Sequence, residues 1–116
     1  MKITVENAIS KTISDLSSVG SLTGRDVANL TAVSKATVSR WMTGRSTPRI
    51  ETQLVLSDLR FVADKLAEFY RPDEVRVWLY APNELLGGRK AIDLIHDKRT
   101  GEVLDAIEQL SNLNFV

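Results

Sequence analysis

The sequence predicts an all-α chain, with a helix-turn-helix bundle over residues 1–70 and a small helical unit over 71–116. Three observations carry this reading. Apolar residues recur at intervals of three and four along most of the chain, the spacing of one helix face. No segment sustains the alternation of a strand. Arg76 to Tyr80 alternates briefly, but Pro72-Asp73-Glu74 just before it suits the start of a helix, where proline costs no hydrogen bond and acids meet the positive end of the dipole. The third observation is the break at Arg71-Pro72. Before it stand nine basic and seven acidic residues, net +2; after it stand six and eight, net −2.

The first helix spans about residues 5–18. Val5, Ile9, Ile13 and Leu16 form its apolar stripe, and Glu6, Asn7, Lys11 and Asp15 face outward. Gly20 is expected to end it. Residues 23–48 then read as two short helices joined by a tight turn. The first runs from about Arg25 to Leu30, with Val27, Ala28 and Leu30 buried. Ala32 and Val33 make the turn. Ser34 is a good N-cap, because its hydroxyl can accept a free backbone N–H of the next helix. That helix covers Lys35 to about Thr43, with Val38, Trp41 and Met42 expected inward. Gly44 supplies a left-handed residue after it, and Pro48 blocks continuation.

A long helical pattern follows from Ile50 to Tyr70. Ile50, Leu54, Val55, Leu59, Val62, Leu66 and Phe69 make one stripe, with Leu56, Phe61 and Tyr70 off it. A helix apolar on more than one face needs more than one neighbour. Pro72 opens the next helix, with Val75, Val77, Trp78 and Leu79 as its apolar content. Ala81-Pro82-Asn83-Glu84 breaks the chain, Leu85-Leu86 follow, and Gly87-Gly88 makes a sharp turn. Ala91, Ile92, Leu94 and Ile95 form a short helix. Lys98 to Gly101 is a turn. The last helix runs from Glu102 to Leu113 and places Val103, Leu104, Ile107, Leu110 and Leu113 inward or against a partner.

Fifteen basic residues balance fifteen acidic ones in 116 residues, and 43% of the chain is apolar. That is a globular composition. There is no cysteine, hence no disulfide framework and no thiolate metal site. One histidine, His96, makes neither a metal site nor a serine relay, and no set of nucleophile and base is visible. No enzyme and no cofactor are expected. No apolar run is long enough for a bilayer. Met1-Lys2 leads into an amphipathic pattern rather than a signal peptide, which predicts a cytoplasmic protein.

The helix at Lys35–Thr43 has an outward face of Lys35, Thr37, Ser39 and Arg40, small and basic enough to lie in a DNA major groove. Arg45 and Arg49 follow and could reach phosphates, as could Ser34. From Arg25 to Arg49 there are five basic residues and one acid, Asp26. A local basic excess in a neutral chain is the footprint expected of a nucleic-acid face. At the other end, Leu110, Leu113, Phe115 and Val116 are more apolar than a frayed terminus needs, the mark of a contact site.

Residues 23–48 resemble the Xre-type (Cro/repressor-like) helix-turn-helix domain. Ala32 stands where that turn usually has glycine, and Thr31 where an apolar residue is common. The second half is similar to the toxin-binding domain of the Xre/MbcA/ParS antitoxin family. The matching pieces are Val77-Trp78-Leu79, then Pro82-Asn83-x-x-Leu86-Gly87-Gly88, Ile92-Asp93-Leu94-Ile95 and Glu102-Val103-x-x-Ala106-Ile107. Ala91 stands where the family often has proline, and the chain ends without the glycine that often follows the last helix. The resemblance implies a type II antitoxin, a homodimer that binds operator DNA and represses its own operon. It implies a RES-domain toxin as partner, a class that consumes NAD. It also implies that the C-terminal end (Leu110, Asn112, Leu113, Asn114, Phe115 and Val116) covers the toxin's NAD pocket, a steric block without catalysis. A stand-alone helix-turn-helix repressor with a C-terminal dimerisation domain is the alternative.

Overall fold

The computed structural model describes residues 5–114 of the chain. The predicted stripe residue Val5 and the tail residues Leu113 and Asn114 have no described side chains, and Phe115 and Val116 lie outside the described residues. In chain order the elements are α1 (Val5–Gly20), α2 (Gly24–Thr31), α3 (Lys35–Met42), α4 (Ile50–Leu66) and α5 (Pro72–Tyr80). A two-residue strand β1 (Pro82–Asn83), a 3-10 turn (Glu84–Leu86), β2 (Arg89–Lys90), α6 (Ala91–His96) and α7 (Thr100–Asn114) complete them. The chain is all-α, as the spacing predicts. Among the described residues a single β ladder pairs Pro82 with Lys90 and Asn83 with Arg89. Two residues a side are too few to leave an alternation in the sequence. Gly87 and Gly88 let the ladder close, with φ of 68° and 84°, a region that side chains resist.

Ile9, Ile13 and Leu16 bury the inner stripe of α1. Gly20 is not its stop. Gly20 is still helical, and the left-handed residue is Ser21, at φ 53°. A Cβ on Gly20 would stand 3.3 Å from Val75 Cγ1 on α5. The glycine is therefore a point of close approach between the first helix and the second half.

α2 starts at a reciprocal cap. The Asp26 amide donates to Thr23 Oγ1 (3.2 Å), and the Thr23 amide donates to Asp26 Oδ2 (2.7 Å). At its other end Ala32 is left-handed, at φ 58° and ψ 42°, while the Val33 amide donates to the Ala28 carbonyl at 3.0 Å. An alanine held there carries strain of roughly 1–2 kcal/mol. Ala32→Gly is expected to raise the unfolding free energy by about 0.5–1 kcal/mol, after glycine's greater freedom in the unfolded chain is subtracted. Urea titration of the two forms checks this.

Ser34 caps α3 as predicted, accepting from the Thr37 amide at 3.1 Å. Gly44 follows at φ 76°. Val38 and Trp41 are buried, but Met42 is 39% exposed. At 100° per residue Met42 falls on the flank of Lys35 and Ser39, not between the two buried positions.

α4 ends at Leu66, four residues short of the predicted Tyr70, and the Phe69 and Tyr70 amides both close on the Leu66 carbonyl at 3.0 Å. The inner face is Leu56, Leu59, Val62, Ala63 and Leu66, while Ile50, Leu54 and Phe61 are exposed. The predicted stripe had placed Ile50 and Leu54 inside and Leu56 off it. Both faces of this helix are apolar, and spacing alone does not choose between them. Val77 is likewise 65% exposed, opposite Val75 and Leu79 on α5.

Packing joins the two halves. α4 lies against α1, α6 and α7, and α5 against α1 and α6. The buried apolar residues of both halves form one continuous cluster. Arg60 on α4 bridges Asp15 on α1 and Asp64. Thr100 at the start of α7 donates its hydroxyl to Asp58 on α4 at 2.9 Å.

Candidate nucleic-acid interface and partner-binding face

The outward side of α3 forms one basic surface. Lys35, Ser39 and Arg40 are exposed, Thr37 is half-buried, and Arg45 and Arg49 are exposed just beyond the helix. The hydroxyls of Ser34 and Thr37 share a hydrogen bond of 3.0 Å, and Arg40 donates to Thr37 Oγ1 at 3.0 Å. The Ser34–Thr37–Arg40 chain holds the guanidinium against the helix. Ser34 is therefore engaged as a cap, and Arg40 is oriented before any ligand arrives. Thr43 donates to the Ser39 carbonyl at 3.2 Å, and Ser10 of α1 donates to the Met42 carbonyl at 2.6 Å. The second of these bonds ties the end of α3 to α1.

Among the described residues no ion pair involves Arg25, Lys35, Arg40, Arg45 or Arg49. Their charge is free to meet phosphate. Sequence reasoning missed one residue here. Ala36 is exposed in the middle of the outward face, where its methyl could meet a thymine methyl. It carried no signal because it has no polar chemistry.

The single acid of this region, Asp26, is buried and faces away from that surface. Besides Thr23, it accepts from the Arg76 guanidinium and from the Tyr80 hydroxyl at 2.8 Å, both on α5. Arg76 also stacks over the Tyr80 ring, 4.9 Å from its centroid. Burial alone would raise the Asp26 pKa. The hydrogen bonds from Arg76, Thr23 and Tyr80 outweigh it and lower the value to about 2. Burial, then the bond to Asp26, pushes the Tyr80 phenol up to about 12. Sequence reasoning did not find this cluster, because its partners lie 50 and 54 residues apart.

A groove of about 310 Å³ runs between α4 and α7, lined by Phe61, Lys65, Phe69, Leu104, Ile107 and Ser111 among others. Of the predicted partner-binding tail, Leu110 is half-buried and Asn112 exposed. A second hollow of about 410 Å³ lies along α5, with Tyr70, Val77, Trp78 and Pro82 on its walls. Among the described residues no group of His, Asp and Glu could hold a metal ion, and no helix is long and apolar enough to cross a membrane.

A small all-α protein, with two short helices carrying a basic surface at the front and further helices packed behind them on one core, is the class these features define. No protein-family model matches the chain. It is 34% identical to the mycobacterial cidal antitoxin MbcA of Mycobacterium bovis over 110 residues, covering 95% of this chain and 97% of that one. The MbcA of Mycobacterium tuberculosis matches to the same extent. A chain of the crystal structure of the M. tuberculosis MbcT–MbcA toxin–antitoxin complex superposes with a TM-score of 0.80 at 34% identity, covering 95% of this chain and 99% of that one. The chain belongs to the family of the mycobacterial cidal antitoxin MbcA.

Proposed function

We propose that this protein is the antitoxin of a type II toxin–antitoxin pair, with a RES-domain, NAD-consuming toxin as its partner. The observation that carries the reading is the end-to-end similarity to MbcA, whose complex with MbcT supplies the matching structure. The toxin is neutralised sterically: apolar contacts of the C-terminal half hold it, and the segment from Leu110 to Val116 covers its NAD pocket. Co-expression with the product of the neighbouring gene, followed by mass measurement of the purified complex, tests the pairing. Failure to copurify rejects it. Deleting Asn112–Val116 is expected to leave the fold intact and to weaken growth rescue. Full rescue by the shortened chain sinks the tail as the blocking element.

The same molecule represses its own operon. Two α3 helices of a homodimer enter successive major grooves about 34 Å apart. Lys35, Thr37, Ser39 and Arg40 meet base edges, and Ser34, Arg45 and Arg49 meet phosphates. The free cations and the oriented Arg40 support this assignment. Arg40→Ala is expected to cost roughly 1–3 kcal/mol of operator affinity and to relax preference at one base pair. Gel shifts on operator variants measure both, and unchanged binding removes Arg40 from the base-reading set.

A further inference from the structure

The helix α4 carries an apolar ridge directly opposite its core face. Ile50 is 64% exposed, Leu54 61% and Phe61 51%. They stand at i, i+4 and i+11, with exposed Ser57 at i+7, so all four share one line along the helix. Single exposed apolar residues are ordinary on a protein surface, but three large ones in register are not. None of the described residues covers them. α1 and α7 pack on either side of α4, and the core lies beneath it.

We propose that this ridge is the homodimer contact, formed by α4 of one copy lying antiparallel on α4 of a second copy. The inference rests on the homodimer of the proposed function and assigns its surface. Three features of the sequence fit self-pairing. A two-fold axis beside Ser57 sets Leu54 of each copy against Phe61 of the other. Ser57 is small, so the helices can approach where they cross. In such a pairing, residues on one flank of the ridge meet the same flank of the partner. Glu51 and Lys65 share a flank, so each Lys65 faces a Glu51 of the other copy, twice over. Among the described residues the partners of Lys65 are weak: Glu68 at 3.9 Å and the face of Phe61 at 5.6 Å. Asp58, near the axis, is turned toward the Thr100 hydroxyl. At 1.5 Å of rise per residue the two Arg49 stand about 25 Å apart, on the scale of the roughly 34 Å between successive major-groove faces.

The chain has no cysteine, which makes the test clean. Ser57→Cys should be joined into covalent dimers by a short bis-maleimide, while Asn29→Cys, on an exposed position of α2, should not. Leu54→Glu should sediment as a monomer at concentrations where the parent protein is a dimer. It should keep the parent's helical circular dichroism, because Leu54 contributes nothing to the core. Glu51→Lys and Lys65→Glu should each weaken the dimer at least several-fold, and the double exchange should restore it. A parent protein that stays monomeric overturns both the ridge contact and the homodimer. A dimer indifferent to Leu54→Glu overturns the ridge alone. Loss of toxin association by Leu54→Glu with the dimer intact assigns the ridge to the toxin instead.

Discussion

Asp26→Asn is expected to lower the unfolding free energy at pH 7 by about 2–3 kcal/mol, because it removes the charge that Arg76, Tyr80 and Thr23 are arranged around. Breaking one partner of a buried pair costs about 3–5 kcal/mol where the survivor stays buried. Arg76 is 39% exposed, so its charge can turn to water, and the loss falls at or below the bottom of that range. The pH dependence gives a second signature. The carboxyl is held at about 2 in the folded protein against 3.8 in the free group. A depressed acid stabilises fully above its unfolded value and loses that contribution as protons reach the folded value. About 2 kcal/mol should therefore vanish from the parent protein between about pH 4 and pH 2, and Asp26→Asn should lack that part of the slope. Tyr80 acts at the opposite end. Its raised value, about 12, means that stability is complete below about pH 10 and is lost as pH climbs toward 12. Urea titrations at pH 7, 4 and 2.5 on both forms decide the first claim. Equal acid slopes would reject it.

Leu79→Ala is expected to cost about 2–5 kcal/mol, the range for emptying a fully buried leucine site, and Leu79 has no exposed surface. The more telling part is where the loss is felt. Each half holds one tryptophan: Trp41 is buried in α3, and Trp78 is half-buried on α5. With one apolar cluster running through both halves, the two should report a single transition. Variants carrying Trp41→Phe or Trp78→Phe isolate each signal. Leu79→Ala should move both unfolding midpoints by the same amount, although Leu79 lies in the second half. If Trp41 held its midpoint while Trp78 lost it, the halves would be separate folding units.

Local chemistry was legible in the sequence, and distant contact was not. Ser34 and Gly44 mark the ends of α3 because a cap acts within four residues. The turn at Ala32 and the outward set of Lys35, Ser39 and Arg40 follow from the same short range. The role of Gly20 was hidden, since it depends on Val75, 55 positions away. The outer face of α4 was misassigned because Ile50, Leu54 and Leu56 are chemically alike, and only neighbouring helices decide which of them is covered. Asp26 looked like the lone acid in a basic stretch. Its meaning came from Arg76 and Tyr80, which no spacing rule connects to it. For the candidate site, the α3 surface could be assembled from residues alone, whereas the apolar groove between α4 and α7 required the fold.

The link from Asp26 to α5 also bears on how the protein is dismantled. The stretch joining α4 to α5, residues 67–71, is largely exposed, and a protease could cut there. The front fragment would then keep α3 but lose the arginine and the phenol that anchor the first turn of α2, along with Val75 against Gly20. One cleavage would thus loosen the packing of both halves at once, since they share a single apolar cluster.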